Sequence, residues 1–127
     1  MTNDPRSTYL QAAVETGGSD RLLVMLMNRL QLDVGRAVEA QEAADHQAAH
    51  HHLIHAQDIV MELRSSLDLE VWPAGAPLGA LYDWLTMQLV QANIKRDVTI
   101  TRACVPLVDQ LTDTWREAAM AAAGISA

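Results

Sequence analysis

The feature that most constrains the fold is a helical stretch, residues 78–97, with apolar side chains on two of its sides. One side follows the three-and-four spacing that aligns side chains along a helix; it consists of Leu78, Leu81, Leu85, Leu89 and Ala92. The step from Leu85 to Met87 is roughly 200° around a helix. The second side consists of Trp84, Met87, Val90 and Ile94. Such a helix either has neighbours on both sides or offers one side to another chain, and the spacing leaves both readings open.

Composition limits the classes of protein to which the chain can belong. Its 127 residues suit one domain, and Ala, Leu, Val and Met supply most of the apolar content while Phe is absent, which favours helices. A net charge of −7 argues against a nucleic-acid partner. The single cysteine, Cys104, excludes an internal disulfide and fits a reducing compartment, so we expect the cytoplasm. No apolar run approaches the ~20 residues of a membrane span, so we expect no membrane insertion.

Helical periodicity and turn residues predict four helices, at about residues 20–44, 46–67, 77–96 and 98–122, after an N-terminal arm at 1–19. The predicted core side of the first helix comprises Leu22, Leu23, Leu26, Met27, Leu30, Val34, Ala37 and Val38. A heptad-like seam in the second helix comprises Leu53, Ala56, Val60, Leu63 and Leu67. The seam of the fourth helix comprises Ile100, Cys104, Leu107, Val108, Leu111, Trp115 and Ala118. These elements predict one all-α domain, residues 20–123, folded as an antiparallel up-down-up-down four-helix bundle with a mobile arm.

Several residues outside the seams suggest further roles. Ile54 and Met61 lie beside the seam of the second helix and widen its apolar surface, as the second side of residues 78–97 does. Tyr82 is expected at the edge of the core, where its hydroxyl group can reach water. Gly35 is expected to allow a neighbouring helix to approach closely. Asn93 and Asp97 flank the predicted turn between the third and fourth helices, where capping is their ordinary role. The N-terminal arm carries three apolar residues that could anchor it, Tyr9, Leu10 and Val14.

A cluster of histidines is the pattern closest to an enzyme site. His51, His55 and Asp58 fall at i, i+4 and i+7, which could present two nitrogens and a carboxylate to a metal ion. A carboxylate-bridged metal site in a helical bundle also needs Glu-x-x-His on two helices, and the sequence contains no such motif. Phosphate-binding loops and the recognised nucleophile motifs are absent as well. We therefore expect no catalytic metal, no cofactor and no enzyme activity, and we interpret the histidines as a solvated polar face.

Four sets of residues, in order along the chain, match patterns of a known family. The first set is Tyr9, Val14, Thr16, Leu22, Met25 and Leu26. The second set is Ala56, Gln57, Ile59, Glu62, Leu63, Ser66 and Leu67. The third set is Leu78, Leu81, Tyr82, Leu85, Ala92, Asn93 and Asp97, and Trp115 matches a late tryptophan. By these matches the chain resembles the FliS family of flagellar export chaperones over nearly its whole length.

The resemblance implies an antiparallel helical bundle without catalytic activity. It implies a cytoplasmic protein that binds the disordered C-terminal segment of flagellin, prevents premature polymerisation and assists delivery to the flagellar export gate. A disordered apolar segment that folds on its partner needs long grooves, which the surplus apolar residues of the second and third helices could form. The predicted partner-binding residues are Ile54, Met61, Tyr82, Trp84, Met87, Val90, Asn93, Ile94 and Asp97. We expect the arm, through Tyr9, Leu10 and Val14, to dock in a groove of the free protein. The same stripes could instead form a homodimer in a self-associating structural bundle.

Overall fold

A computed structural model of the chain describes residues 20–122 and Gly124. Its four helices are α1 Asp20–Glu42, α2 His46–Ser65, α3 Ala76–Ile94 and α4 Val98–Ala122, and a short 3-10 helix, Pro73–Gly75, leads into α3. No strand is present in these residues, so the all-α prediction is confirmed. The predicted arm, with Tyr9, Leu10 and Val14, lies outside the described residues.

The predicted helix number is confirmed, and the first three helices end two residues earlier than the sequence suggested. The end of α1 is set by Ala44, whose φ of 55° leaves the helical region, and Asp45 N–H then donates to the Ala40 carbonyl at 2.8 Å. Arg96 does the same after α3, with a φ of 50°, and the following N–H, of Asp97, donates to the carbonyl of Ala92 at 3.1 Å. A residue in left-handed conformation after the last turn is a common helix stop, because its neighbours' N–H groups satisfy the last carbonyls.

Each of these stops is followed at once by a cap for the next helix. The Asp45 carboxylate accepts the Ala48 N–H at 3.1 Å at the start of α2, and the Asp97 carboxylate accepts the Thr99 N–H at 2.9 Å at the start of α4. Aspartate is among the preferred residues there, because its oxygen pairs an N–H that has no partner within the helix. The predicted capping role of Asp97 is thus confirmed, and both connections at this end of the bundle are short.

The helices pack as an antiparallel up-down-up-down bundle, as predicted. Helix α1 packs against α2 and α4, and α3 packs against the same two helices. The direction of α1 against α4 is fixed by two contacts at opposite ends, Arg102 with Glu42 at 2.6 Å and Arg116 with Asn28 at 2.6 Å. Helix α3 runs antiparallel to α2 in the same way, and its early turns contact the late turns of α2.

The predicted seams form most of the core. All five residues of the α2 heptad are buried, as are Leu85, Leu89 and Ala92 of α3. Two predictions are wrong: Tyr82 is fully buried rather than at the edge of the core, and Leu22 is 46% exposed. Tyr82 lies three residues before Leu85 and so continues the three-and-four spacing of the buried residues, whereas Leu81 is partly buried and packs against the core from its edge. Gly35 also differs from expectation, since a Cβ atom there would meet nothing within 4 Å, so none of the four described helices approaches it closely.

Candidate functional site

The second apolar side of α3 lies on the surface of the bundle. Met87 is 57% exposed and Ile94 is 71% exposed, while Met61 on the neighbouring α2 is 57% exposed. Trp84 and Ile54 are exposed as well, and Val90 is partly buried. The spacing left open whether helices of the same chain cover both sides of α3. In the described residues they do not, because no helix of the bundle covers this second side.

Three of the predicted partner-binding residues line a groove between α2 and α3. Met61 faces Met87 and Val90 across it, and the space between the helices measures about 430 Å³. One end is crossed by an ion pair in which Arg64 Nε lies 3.1 Å from Asp83 Oδ1. We call this feature the α2–α3 groove. Its lining is mostly apolar, and methionine side chains are flexible and polarisable enough to fit partners of different shape.

The other predicted residues take different positions. Asn93 and Ile94 lie at the far end of the same face, where the Asn93 amide group contacts His50 Nδ1 at 2.9 Å. Trp84 is exposed but lies about 120° around α3 from Val90, outside the lining of the groove. The face of the bundle that carries the groove therefore ends in polar side chains on both sides.

Two predicted residues do not present their side chains to this groove. Tyr82 belongs to the core, and the Asp97 carboxylate caps α4. The sequence pattern predicts Tyr82 on α3 and Asp97 at the turn before α4. The spacing alone does not distinguish a buried ring or a capping carboxylate from a side chain that is available to a partner.

Sequence reasoning missed a second apolar surface, on α1, which we call the α1 patch. Leu22, Met25 and Leu32 are all exposed, and with Leu26 they line a shallow depression of about 520 Å³. The predicted core side of the first helix includes Leu22 and Leu26. The signal that could have revealed the patch was the excess of apolar residues over one helical stripe between residues 22 and 32, since Met25 and Leu32 fall outside the predicted core side.

The histidines do not assemble into a metal centre in the described part of the chain. No group of three or more His, Cys, Asp or Glu side chains is placed there to hold an ion. His55 contacts the carboxylate of Asp33 on α1, which Arg29 also approaches, with Nε 3.2 Å from Asp33 Oδ1. Asp33 is fully buried, which helical periodicity does not predict, because a charged residue beside the core stripe is normally a surface residue. Arg29 brings an opposite charge to this buried carboxylate and His55 brings a polar ring nitrogen, which makes this a structural contact between α1 and α2.

Two further features of the described residues concern the single cysteine and the apolar character of the helices. Burial raises the pKa of the Cys104 thiol from 9.0 to about 11, which leaves it protonated and a poor nucleophile at neutral pH. None of the described helices is both long and apolar enough to cross a lipid bilayer. The described surface carries exposed apolar side chains on α1, α2 and α3.

Comparison with known proteins is consistent with this geometry. The sequence profile of a family described as "Flagellar protein FliS" matches residues 1–122. The chain is also similar to the flagellar secretion chaperone FliS of Bacillus subtilis (strain 168), with 33% identity over 115 residues. This similarity covers 91% of the present chain and 86% of the relative.

Proposed function

We propose that this chain, which belongs to the FliS family of flagellar proteins, is a cytoplasmic chaperone of flagellar secretion that binds the C-terminal segment of flagellin. The bound segment folds against the α2–α3 groove, and its sequestration prevents premature polymerisation. The complex then presents flagellin to the flagellar export gate. No catalytic step is part of this proposal.

The observation that carries the proposal is the exposure of Met61 and Met87 on opposite walls of one groove. These side chains are not needed to complete the core, because the buried residues of α2 and α3 already fill it. Large apolar side chains that line a groove between two helices are typical of sites where an amphipathic helix docks. A disordered client segment can form such a helix as it binds.

The magnitudes indicate that the α2–α3 groove does not act alone. Full burial of a methionine contributes about 1.5–3 kcal/mol, and Met61 and Met87 already have part of their surface buried, so the two together contribute about 2–3 kcal/mol. Ordering a disordered segment costs about 2–5 kcal/mol. The two terms nearly cancel, so tight binding needs further contacts. We propose that the client also covers Trp84 and the α1 patch, and that it is therefore long enough to reach more than one side of the bundle.

The test is the hydrodynamic mass of the purified protein, alone and with a synthetic peptide of the flagellin C-terminal segment. We expect a monomer that becomes a one-to-one complex, measured by light scattering during size exclusion. A peptide of the same composition in scrambled order is the control, because it keeps the hydrophobicity but loses the helical spacing of the apolar residues.

The alternative, a self-associating structural bundle, gives a different result in the same experiment. The protein alone would then be a dimer, and the peptide would neither bind nor change its mass. That outcome would assign the exposed stripes to a homodimer interface and would contradict the chaperone proposal.

A further inference from the structure

The face that carries the α2–α3 groove continues into a separate polar pocket at one end of the bundle. This end pocket has a volume of about 310 Å³ and a floor formed by Ala49 and Leu53 of α2. Its rim consists of Gln41, His46, His50, Asn93, Ile94 and Arg96. From the Arg64–Asp83 ion pair to the His50–Asn93 contact, α3 rises about 15 Å at 1.5 Å per residue. A helix lying in the groove would therefore reach the end pocket after about ten residues.

The rim offers hydrogen-bond donors and positive charge. The Asn93 amide group donates to His50 Nδ1 at 2.9 Å, which leaves the proton of the neutral imidazole on Nε2. Arg96 adds a guanidinium group with five N–H donors in a planar fork that matches a carboxylate. His46 adds an imidazole ring with a further N–H donor.

Three acidic side chains at this end of the bundle have partners outside the end pocket. Glu42 pairs with Arg102 at 2.6 Å, Asp45 caps α2 and Asp97 caps α4. In the described part of the chain Arg96 makes no ion pair, whereas Arg64 pairs with Asp83. The guanidinium group of Arg96 therefore has no carboxylate partner among the described residues.

The backbone at Arg96 determines which replacement can remove the guanidinium group without disturbing the fold. Its φ of 50° is in the left-handed region, where glycine is the usual residue at a helix stop because a Cβ atom is strained there. Ala44 occupies the same position after α1, with a φ of 55°. The local backbone therefore suits glycine at position 96, so Arg96→Gly removes the guanidinium group without straining the chain.

We propose that the end pocket binds a carboxylate group of the client segment, with Arg96 as its charged partner and His50 and Asn93 on its rim. This inference rests on the proposed function for the identity of the client, but the pocket can also be tested without it. The carboxylate is either the C-terminus of the segment or an acidic side chain, and the experiment distinguishes the two.

The first arm uses small probes and the full chain. N-acetylleucine and its amide are titrated at millimolar concentration while NMR follows the Arg96 Nε–H and Asn93 amide signals. We expect saturable shifts with the carboxylate and none with the amide. Identical responses to the two compounds, or no response to either, would overturn the proposal, whether or not flagellin is the client.

The second arm uses the flagellin peptide and the Arg96→Gly variant. Glycine removes the guanidinium group but suits the left-handed backbone, so we expect the variant to melt no lower than the wild-type protein and to bind about tenfold more weakly. Ala44→Gly is the matched control, because it relieves the same backbone strain and leaves the end pocket intact. It should bind as the wild-type protein does.

Two altered peptides identify the carboxylate. If the peptide with an amidated C-terminus binds wild-type protein and Arg96→Gly equally, the terminal carboxylate is the ligand. If a peptide with Asn and Gln in place of its Asp and Glu residues binds wild-type protein and Arg96→Gly equally, the ligand is an acidic side chain. An Arg96→Gly variant that binds every peptide as tightly as wild-type protein would contradict the proposal. If wild-type protein binds no peptide but responds to N-acetylleucine, flagellin is not the client, and the end pocket is still a carboxylate site.

Discussion

Replacing Met87 by glutamate should separate binding from folding. Met87 is 57% exposed, so less than half of its burial energy of about 1.5–3 kcal/mol contributes to the fold, or roughly 1 kcal/mol. Met and Glu have similar helix propensities, and the new carboxylate stays in water. We therefore expect Met87→Glu to lower the free energy of unfolding by about 1 kcal/mol, out of the 5–15 kcal/mol typical of a domain, and to keep its helical circular dichroism.

Binding should respond far more strongly to the same change. A client helix in the α2–α3 groove would lose its contact with the methionine, worth about 1 kcal/mol, and would bury a carboxylate at a cost of at least about 2 kcal/mol. The sum of about 3 kcal/mol corresponds to at least ~100-fold weaker binding. Titration calorimetry with the flagellin peptide measures this effect, and circular dichroism melts measure the stability. Ile94→Glu should also abolish binding without unfolding the bundle, since Ile94 is 71% exposed.

Three control variants show whether Met87→Glu acts through the groove, through its charge or through the fold. Met87→Leu keeps an apolar side chain of similar size and should bind normally. Gln110→Glu adds the same negative charge at an exposed position of α4 and should also bind normally, which separates a groove effect from general repulsion. Leu85→Glu places the charge at a fully buried position and should unfold the protein. The reasoning is refuted if Met87→Glu and Ile94→Glu both unfold as Leu85→Glu does, because the second side of α3 would then be core.

The remaining predictions concern stability and reactivity. Gly35→Ala should raise the free energy of unfolding by up to about 1 kcal/mol, because its Cβ atom meets nothing within 4 Å. Gly75→Ala should lower the free energy of unfolding, because a Cβ atom there would lie 2.6 Å from the Trp72 ring. Urea denaturation measures both changes, and equal effects of the two variants would contradict the argument. Stability should fall as the pH rises from about 9 to about 11, because the unfolded Cys104 thiol then loses its proton while the folded one, whose pKa burial raises to about 11, keeps it. Cys104→Ser should flatten this part of the pH profile, and an unchanged slope would exclude the thiol as its cause. Treatment with EDTA should leave the melting temperature unchanged, and a lower melting temperature would reveal a structural metal.

Much of the bundle could be predicted from the sequence because helical periodicity reports which residues face a common side. The α2 heptad shows this, since each of its residues is buried where the spacing placed it. Periodicity could not predict the helix ends as well, because Ala44 and Arg96 adopt a left-handed conformation that their residue types do not announce. Glycine at either position would have marked the stop.

The candidate site was predictable only in part, for a related reason. The exposure of Met61, Met87 and Ile94 followed from an apolar surplus on α2 and α3. The same reasoning placed Leu22 in the core, because the direction from which the other helices pack on α1 depends on the whole bundle and not on the spacing within one helix. The contact of Asp33 with His55 joins residues 22 positions apart, so no local pattern could reveal it.

The most direct test of the central claim uses the methionine methyl groups as reporters of the client's position. In protein labelled with ¹³C at these methyl groups, Met61 and Met87 report on the α2–α3 groove, Met25 reports on the α1 patch, and the fully buried Met27 is the internal control. On addition of the flagellin peptide we expect the Met61 and Met87 signals to shift and to show nuclear Overhauser effects to the peptide, while Met27 stays unchanged. Peptide binding that shifts Met25 and leaves both Met61 and Met87 in place would contradict the assignment of the α2–α3 groove as the client site.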